Sequence, residues 1–81
     1  MQYEVTSVYE LTPQFERRKS FYGKATVRLA DNRTKTLYSY GTPVVELDLK
    51  RRELNYYPGV RMSQTTRRHL REFLRQEGVD E

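Results

Sequence analysis

The stretch Ser63–Gly78, SQTTRRHLREFLRQEG, holds the one convincing helix of the chain. Ser63 suits an N-cap because its hydroxyl can accept from the free amides of the first turn, and Gly78 stands just past the end, where a left-handed residue closes a helix. Between them, Thr66, Leu70, Phe73 and Leu74 fall within an arc of about 100°, the width of a stripe that packs on a core. A helix is therefore expected over about 64–76, with one apolar face that the upstream chain must cover.

Upstream the periodicity changes to two. Leu54–Tyr57 reads as a short strand stopped by Pro58-Gly59, expected at an edge after a polar turn over 50–53. Val45, Leu47 and Leu49 alternate with Glu46, Asp48 and Lys50, which predicts an amphipathic strand over about 44–50 in a central position. The triplet Gly41-Thr42-Pro43 breaks the chain before it. Asp31-Asn32-Arg33 tolerates left-handed backbone and joins strands over about 21–30 and 34–40 as an antiparallel hairpin, the first of them starting at Phe21 and bending at Gly23. Tyr3, Val5, Ser7, Tyr9 and Leu11 share one parity, giving a first strand over about 2–11 that Pro13 ends. Gln14 to Lys19 is a polar loop or edge, and Val79-Asp80-Glu81 a frayed end.

These elements predict one domain over 1–81 with an α+β fold, a curved antiparallel sheet of four to five strands carrying one C-terminal helix on one face. The alternative is a small closed barrel capped by the helix. Leu70, Phe73 and Leu74 are expected to be buried against Val27, Leu29, Val45 and Leu47.

A chain of 81 residues supports one small core, and a deep enclosed active site is not expected of it. Fifteen Lys and Arg against 11 Asp and Glu give a net charge of +4. The longest apolar runs fall far short of the roughly 18 to 20 residues that a membrane span requires, and Met1–Val5 lacks the build of a signal peptide. No membrane partner and a cytoplasmic location in a bacterial host cell are expected. With no Cys and one His, no metal site and no cofactor are expected either, and no nucleophile, base and acid stand at a recognisable catalytic spacing. An enzyme is the weakest class.

The informative bias is toward Arg and Tyr. Arg67, Arg71 and Arg75 stand at i, i+4 and i+8 with Arg68 beside them, away from the apolar arc. Like charges at this spacing cost a helix roughly 0.2–0.5 kcal/mol per pair, and only Glu72 is at hand to offset them, through Arg68, so an anion is expected opposite them. Phosphates of a nucleic acid, the carboxylates of Glu46, Asp48 or Glu53, and those of a partner protein all fit. Two further basic triplets, Arg17-Arg18-Lys19 and Lys50-Arg51-Arg52, fall in turns. Tyr38 and Tyr40 share one face by parity and offer a stacking platform for unpaired bases. Tyr56 and Tyr57 must point oppositely, so at least one is core, and His69 at the helix flank is expected to make a boundary hydrogen bond beside the sheet.

Three ordered blocks, KSFYGKA (Lys19–Ala25), LYSYGT (Leu37–Thr42) and SQTTRRHLREFL (Ser63–Leu74), resemble a family of small uncharacterised proteins encoded by bacteriophages and mobile elements of Gram-positive bacteria. The resemblance runs from about Arg17 to Gly78 and implies phage or prophage origin, with no activity to carry over. Four strands followed by one helix are also similar in outline to dimeric single-stranded nucleic-acid binders of the coactivator and Whirly type, an analogy of architecture alone. The functional expectation is a non-enzymatic module that binds DNA or RNA through its Arg helix face. The alternative is an anti-CRISPR-like or host-regulator inhibitor that binds a bacterial host protein. Exposed sheet edges make a homodimer plausible.

Overall fold

A computed structural model describes residues 4–17 and 20–79. Five strands, β1 (Val5–Glu10), β2 (Ala25–Ala30), β3 (Thr34–Ser39), β4 (Thr42–Asp48) and β5 (Glu53–Tyr56), precede one helix, α1 (Gln64–Glu77). The strands form an antiparallel meander in the order β1-β2-β3-β4-β5, with α1 packed across one face. This is the expected α+β fold, with β1 and β5 as open edges and no barrel closure. The middle strand is β3, while β4, expected centrally, lies one place in from the β5 edge.

Alternation decides which side chains meet the helix. Val27 pairs with Leu37 and Leu37 with Val45, a row that is wholly buried beneath Leu70, Phe73 and Leu74. Leu47 continues the core toward Leu54, and Leu11 and Phe21 close it from the β1–β2 connection. Leu29, expected in the core, is only half-buried, because its cross-strand neighbours are Ser7 and Lys35 rather than apolar residues.

Strand limits depart from expectation where the backbone turns left-handed. Tyr22 and Gly23 have φ of +54° and +74°, and Lys24 N–H closes the turn on Phe21 C=O at 3.0 Å, so 21–24 is a turn and β2 begins only at Ala25. Tyr40 and Gly41 repeat that geometry with φ of +53° and +78°, a two-residue hairpin turn whose twist matches its strands. Tyr40 therefore leaves β3, and Thr42 and Pro43, read as a break, begin β4. Pro43 is accommodated at a bulge: Leu37 faces Val45 and Tyr38 faces Pro43, which leaves Val44 as the extra residue and puts both valines in the core. Leu49 to Arg52 form the turn before β5, and β1 starts at Val5, with the expected strand positions Gln2 and Tyr3 outside the described residues.

The helix ends as its sequence requires. Ser63 Oγ accepts from Thr66 N–H at 3.1 Å, and Gly78, at φ +70°, donates to Arg75 C=O at 3.1 Å while Val79 N–H reaches Leu74 C=O at 2.9 Å. Val79 also packs against the core, so it does not fray; Asp80 and Glu81 lie outside the described residues.

Candidate functional site

The buried part of α1 is wider than the predicted arc. Thr66, His69, Leu70, Phe73 and Leu74 face the sheet, and Glu72, on the flank, is buried as well at 2% exposure. A carboxylate leaves water only where donors replace it. Here they come from the β1–β2 connection: Gln14 N–H donates to Glu72 Oε2 at 3.0 Å, and Phe15 N–H to its Oε1 and Oε2 at 3.1 and 3.3 Å. One turn on, the Gln76 amide donates to Glu72 Oε2 at 2.6 Å and to Thr12 C=O at 2.7 Å. Glu72 and Gln76 thus clamp the segment 12–15 along the flank of the helix, and Leu11, at 1% exposure, anchors its start in the core.

The clamp leaves an open groove of about 370 Å³ lined by Phe15, Glu16, Arg17, Arg68, Arg71, Glu72 and Arg75. Four guanidinium groups therefore face two carboxylates, an excess of positive charge, and Glu72 is held by backbone and amide donors. Among the described residues, none of Arg17, Arg68, Arg71 and Arg75 forms an ion pair. The first turn of α1 also carries no acid, so Arg67 and Arg68 stand near the positive end of the helix dipole with nothing of opposite charge on that turn. An electropositive groove with an aromatic ring at its rim is what the arrangement offers chemically.

Residues 9–81 match the model of a family of unknown function, DUF8033. The chain belongs to that family. No curated protein and no solved structure matches it.

The predicted residues divide sharply between the two sides of the fold. Arg68, Arg71 and Arg75 join Arg17 in the groove, whereas Arg67 is exposed on the outer side of the ridge and does not line it. Arg18 lies outside the described residues. The triplet Lys50-Arg51-Arg52 forms the β4–β5 turn beside the C-terminal end of α1: Asp48 Oδ1 accepts from the backbone N–H of Lys50 at 2.9 Å and of Arg51 at 3.1 Å, and Arg52 Nη2 donates to Glu77 C=O at 2.6 Å. Arg52 therefore caps the helix, and Asp48, expected as a partner for the ridge, shapes a turn instead. Glu77 further holds Lys35 at 2.8 Å.

The expected tyrosine platform is not formed. Tyr38 lies on the face away from α1, with the Arg28 guanidinium 4.2 Å from its ring centroid, while Tyr40, carried round by its turn, has its ring 5.9 Å from that of His69 on the helix side. Parity fails because the left-handed turn begins at Tyr40. Tyr56 is exposed and Tyr57 half-buried, so neither is core, since β5 is a short edge strand.

His69 is deeper than a boundary residue, at 1% exposure with Phe21 edge-on at 4.5 Å. Its Nδ1 lies 2.8 Å from Ser39 Oγ, which lies 3.1 Å from Thr66 Oγ1, and Ser63 Oγ donates to that same oxygen at 3.1 Å. This chain of hydroxyls joins β3 to the helix N-cap, the hydrogen bond beside the sheet that the flank position implied.

Phe15 and Gln76 were not singled out by sequence, and the sequence points to Glu72 only as the acid that offsets the ridge through Arg68, whereas its carboxylate turns to the Gln14 and Phe15 amides. A lone Phe in a polar loop carries no local signal, and a Glu among arginines signals pairing with them and not with a distant loop. Their meaning depends on an encounter between residues 57 or 58 positions apart.

Proposed function

We propose that the groove between α1 and the segment 12–17 binds the phosphate backbone of a nucleic acid, and that the protein is a non-enzymatic binding module acting through Arg17, Arg68, Arg71 and Arg75. The observation that carries this reading is the convergence of four guanidinium groups on one groove whose lining holds only two carboxylates, Glu16 and Glu72, so that positive charge is in excess there. Arg offers a planar fork to phosphate, and each neutralised phosphate releases counterions. The phage or mobile-element origin and the cytoplasmic location expected from sequence belong to the same proposal, as does a homodimer through the exposed β1 edge, which light scattering tests.

Fluorescence anisotropy with labelled DNA and RNA oligonucleotides across a salt series tests the reading. Wild type should bind at low salt, with log affinity falling on log salt by about 0.7 to 0.9 per phosphate contact. A variant with Arg68, Arg71 and Arg75 replaced by Ala should bind more weakly and with a flatter slope. Absence of binding to every oligonucleotide at low salt overturns the proposal. A pull-down from host lysate that retains a stoichiometric protein after nuclease treatment would favour the inhibitor reading instead.

A further inference from the structure

We infer that the groove takes a single strand, one of whose bases stacks on Phe15, and that Glu72 is the positioning residue that sets the ring there. The inference rests on the proposal that this groove binds nucleic acid, and it adds the class of strand and the means of its selection.

Phe15 is 55% exposed although its backbone is among the most tightly held in the β1–β2 connection. Its own N–H and that of Gln14 end on the buried Glu72 carboxylate, and Gln76 fixes Thr12 three residues earlier. A loop that served only to connect β1 to β2 would have no need of a buried carboxylate, nor of an apolar ring left half in water. What the clamp achieves is preorganisation: the ring stands at the rim of the groove that Arg17, Arg68, Arg71 and Arg75 line.

A ring so placed distinguishes strands. In a duplex the base faces are stacked on one another, and only edges and phosphates reach the surface. In a single strand each base has a free face, and an aromatic ring beside a positive groove is the usual platform for it. From Arg68 to Arg75 the helix rises about 10 Å, which limits the groove to a short run of backbone. One ring with three guanidinium groups along that length fits a short run of single strand. Tyr38 and Tyr40 are not rivals for the role, since Arg28 covers one ring and the other leans on His69.

The chain has no Trp, so Phe15→Trp supplies a single indole reporter. Titrated at low salt with a 12-nucleotide oligo-dT, its emission should be quenched, and a duplex of the same length should leave it unchanged. Phe15→Ala should weaken single-strand binding about ten-fold, leaving duplex binding and the salt slope as in wild type. If the single strand binds but the indole is unquenched, or Phe15→Ala binds as wild type does, the inference is overturned while the groove's nucleic-acid reading stands. If neither strand binds wild type, both fall, and carboxylates of a partner protein become what the guanidinium groups meet.

For Glu72, the preference for single strand over duplex is the decisive readout. Glu72→Leu, kept only if circular dichroism shows a folded chain, should lower that preference to the level of Phe15→Ala without changing the salt slope. Glu72→Gln retains a carbonyl acceptor for the loop and should restore the preference. A folded Glu72→Leu protein with wild-type preference removes Glu72 from the account.

Discussion

The β4–β5 turn and the α1 groove are equally basic in sequence, yet their cations are employed in opposite ways. At the turn, Arg52 closes on the Glu77 carbonyl, Lys35 pairs with the Glu77 carboxylate, and Asp48 holds the backbone of Lys50 and Arg51. In the groove, Glu72 accepts from Gln14, Phe15 and Gln76, and Arg17, Arg68, Arg71 and Arg75 form no ion pair among the described residues. A charged residue is structural or available according to whether the fold hands it a partner, and composition cannot say which. Arg52 and Lys35 fasten the fold through their side chains; the groove cations are left to meet an anion.

The largest effect should fall on what both regions share. Phe73 is wholly buried between α1 and the row Val27, Leu37 and Val45, so Phe73→Ala should cost about 3–5 kcal/mol, close to the whole stability of a domain this small. Urea denaturation should find the variant largely unfolded, with turn and groove lost together. A cooperative wild-type-like transition would show that the two regions do not depend on this common core.

The next effect separates them. Glu72→Leu leaves the amides of Gln14 and Phe15 without an acceptor and should cost about 1–3 kcal/mol. Amide exchange should quicken at Gln14 and Phe15 but not at Lys50 and Arg51, whose amides end on Asp48 and not on Glu72. Uniform acceleration would mean that the clamp supports the whole fold and not the groove flank alone.

Much of the fold is legible in the chain because its causes are local. Alternation at Val45 and Leu47, the cap at Ser63, the stop at Gly78 and the hairpin residues Asp31-Asn32-Arg33 each act within a few positions. The misreadings share a cause too. Tyr22 and Tyr40 look like strand residues because Tyr suits strands, yet each joins the Gly that follows it in a left-handed turn. Val44 is indistinguishable from a regular strand residue until the bulge at Pro43 shows it to be extra. Of the candidate site, the helix arginines were legible from their spacing. Their groove was not, since its other wall is set by a side chain meeting backbone 57 or 58 residues away.

A third comparison puts like against like. Arg52→Ala removes a cation that bonds the last turn of α1 and should cost about 0.3–1 kcal/mol, with no change in oligonucleotide affinity. Arg71→Ala removes a groove cation and should shift stability by less than about 0.5 kcal/mol while weakening binding. Thermal melts and anisotropy on the two proteins check both halves, and the reverse pattern would exchange the roles assigned to turn and groove.

The smallest effect concerns Lys35, the second cation held at the turn end. Burial alone pushes its ammonium down, but the hydrogen bonds and charges of Glu77 and Tyr9 outweigh this and leave its pKa above the ordinary 10.5. The folded state thus holds the proton more tightly than the unfolded one. The stabilisation is fully present below pH 10.5 and is lost as pH rises through the raised value. For a half-buried pair it amounts to about 0.5 kcal/mol. Urea midpoints measured from pH 9 to 12 should therefore fall more steeply for wild type than for Lys35→Met, which has no ammonium to titrate. Arg52 and the groove arginines keep their charge over that range, so the difference between the two curves reports Lys35 together with the groups it faces, Glu77 and Tyr9. Parallel curves would show that Glu77 is held by Arg52 at its carbonyl and gains nothing from Lys35.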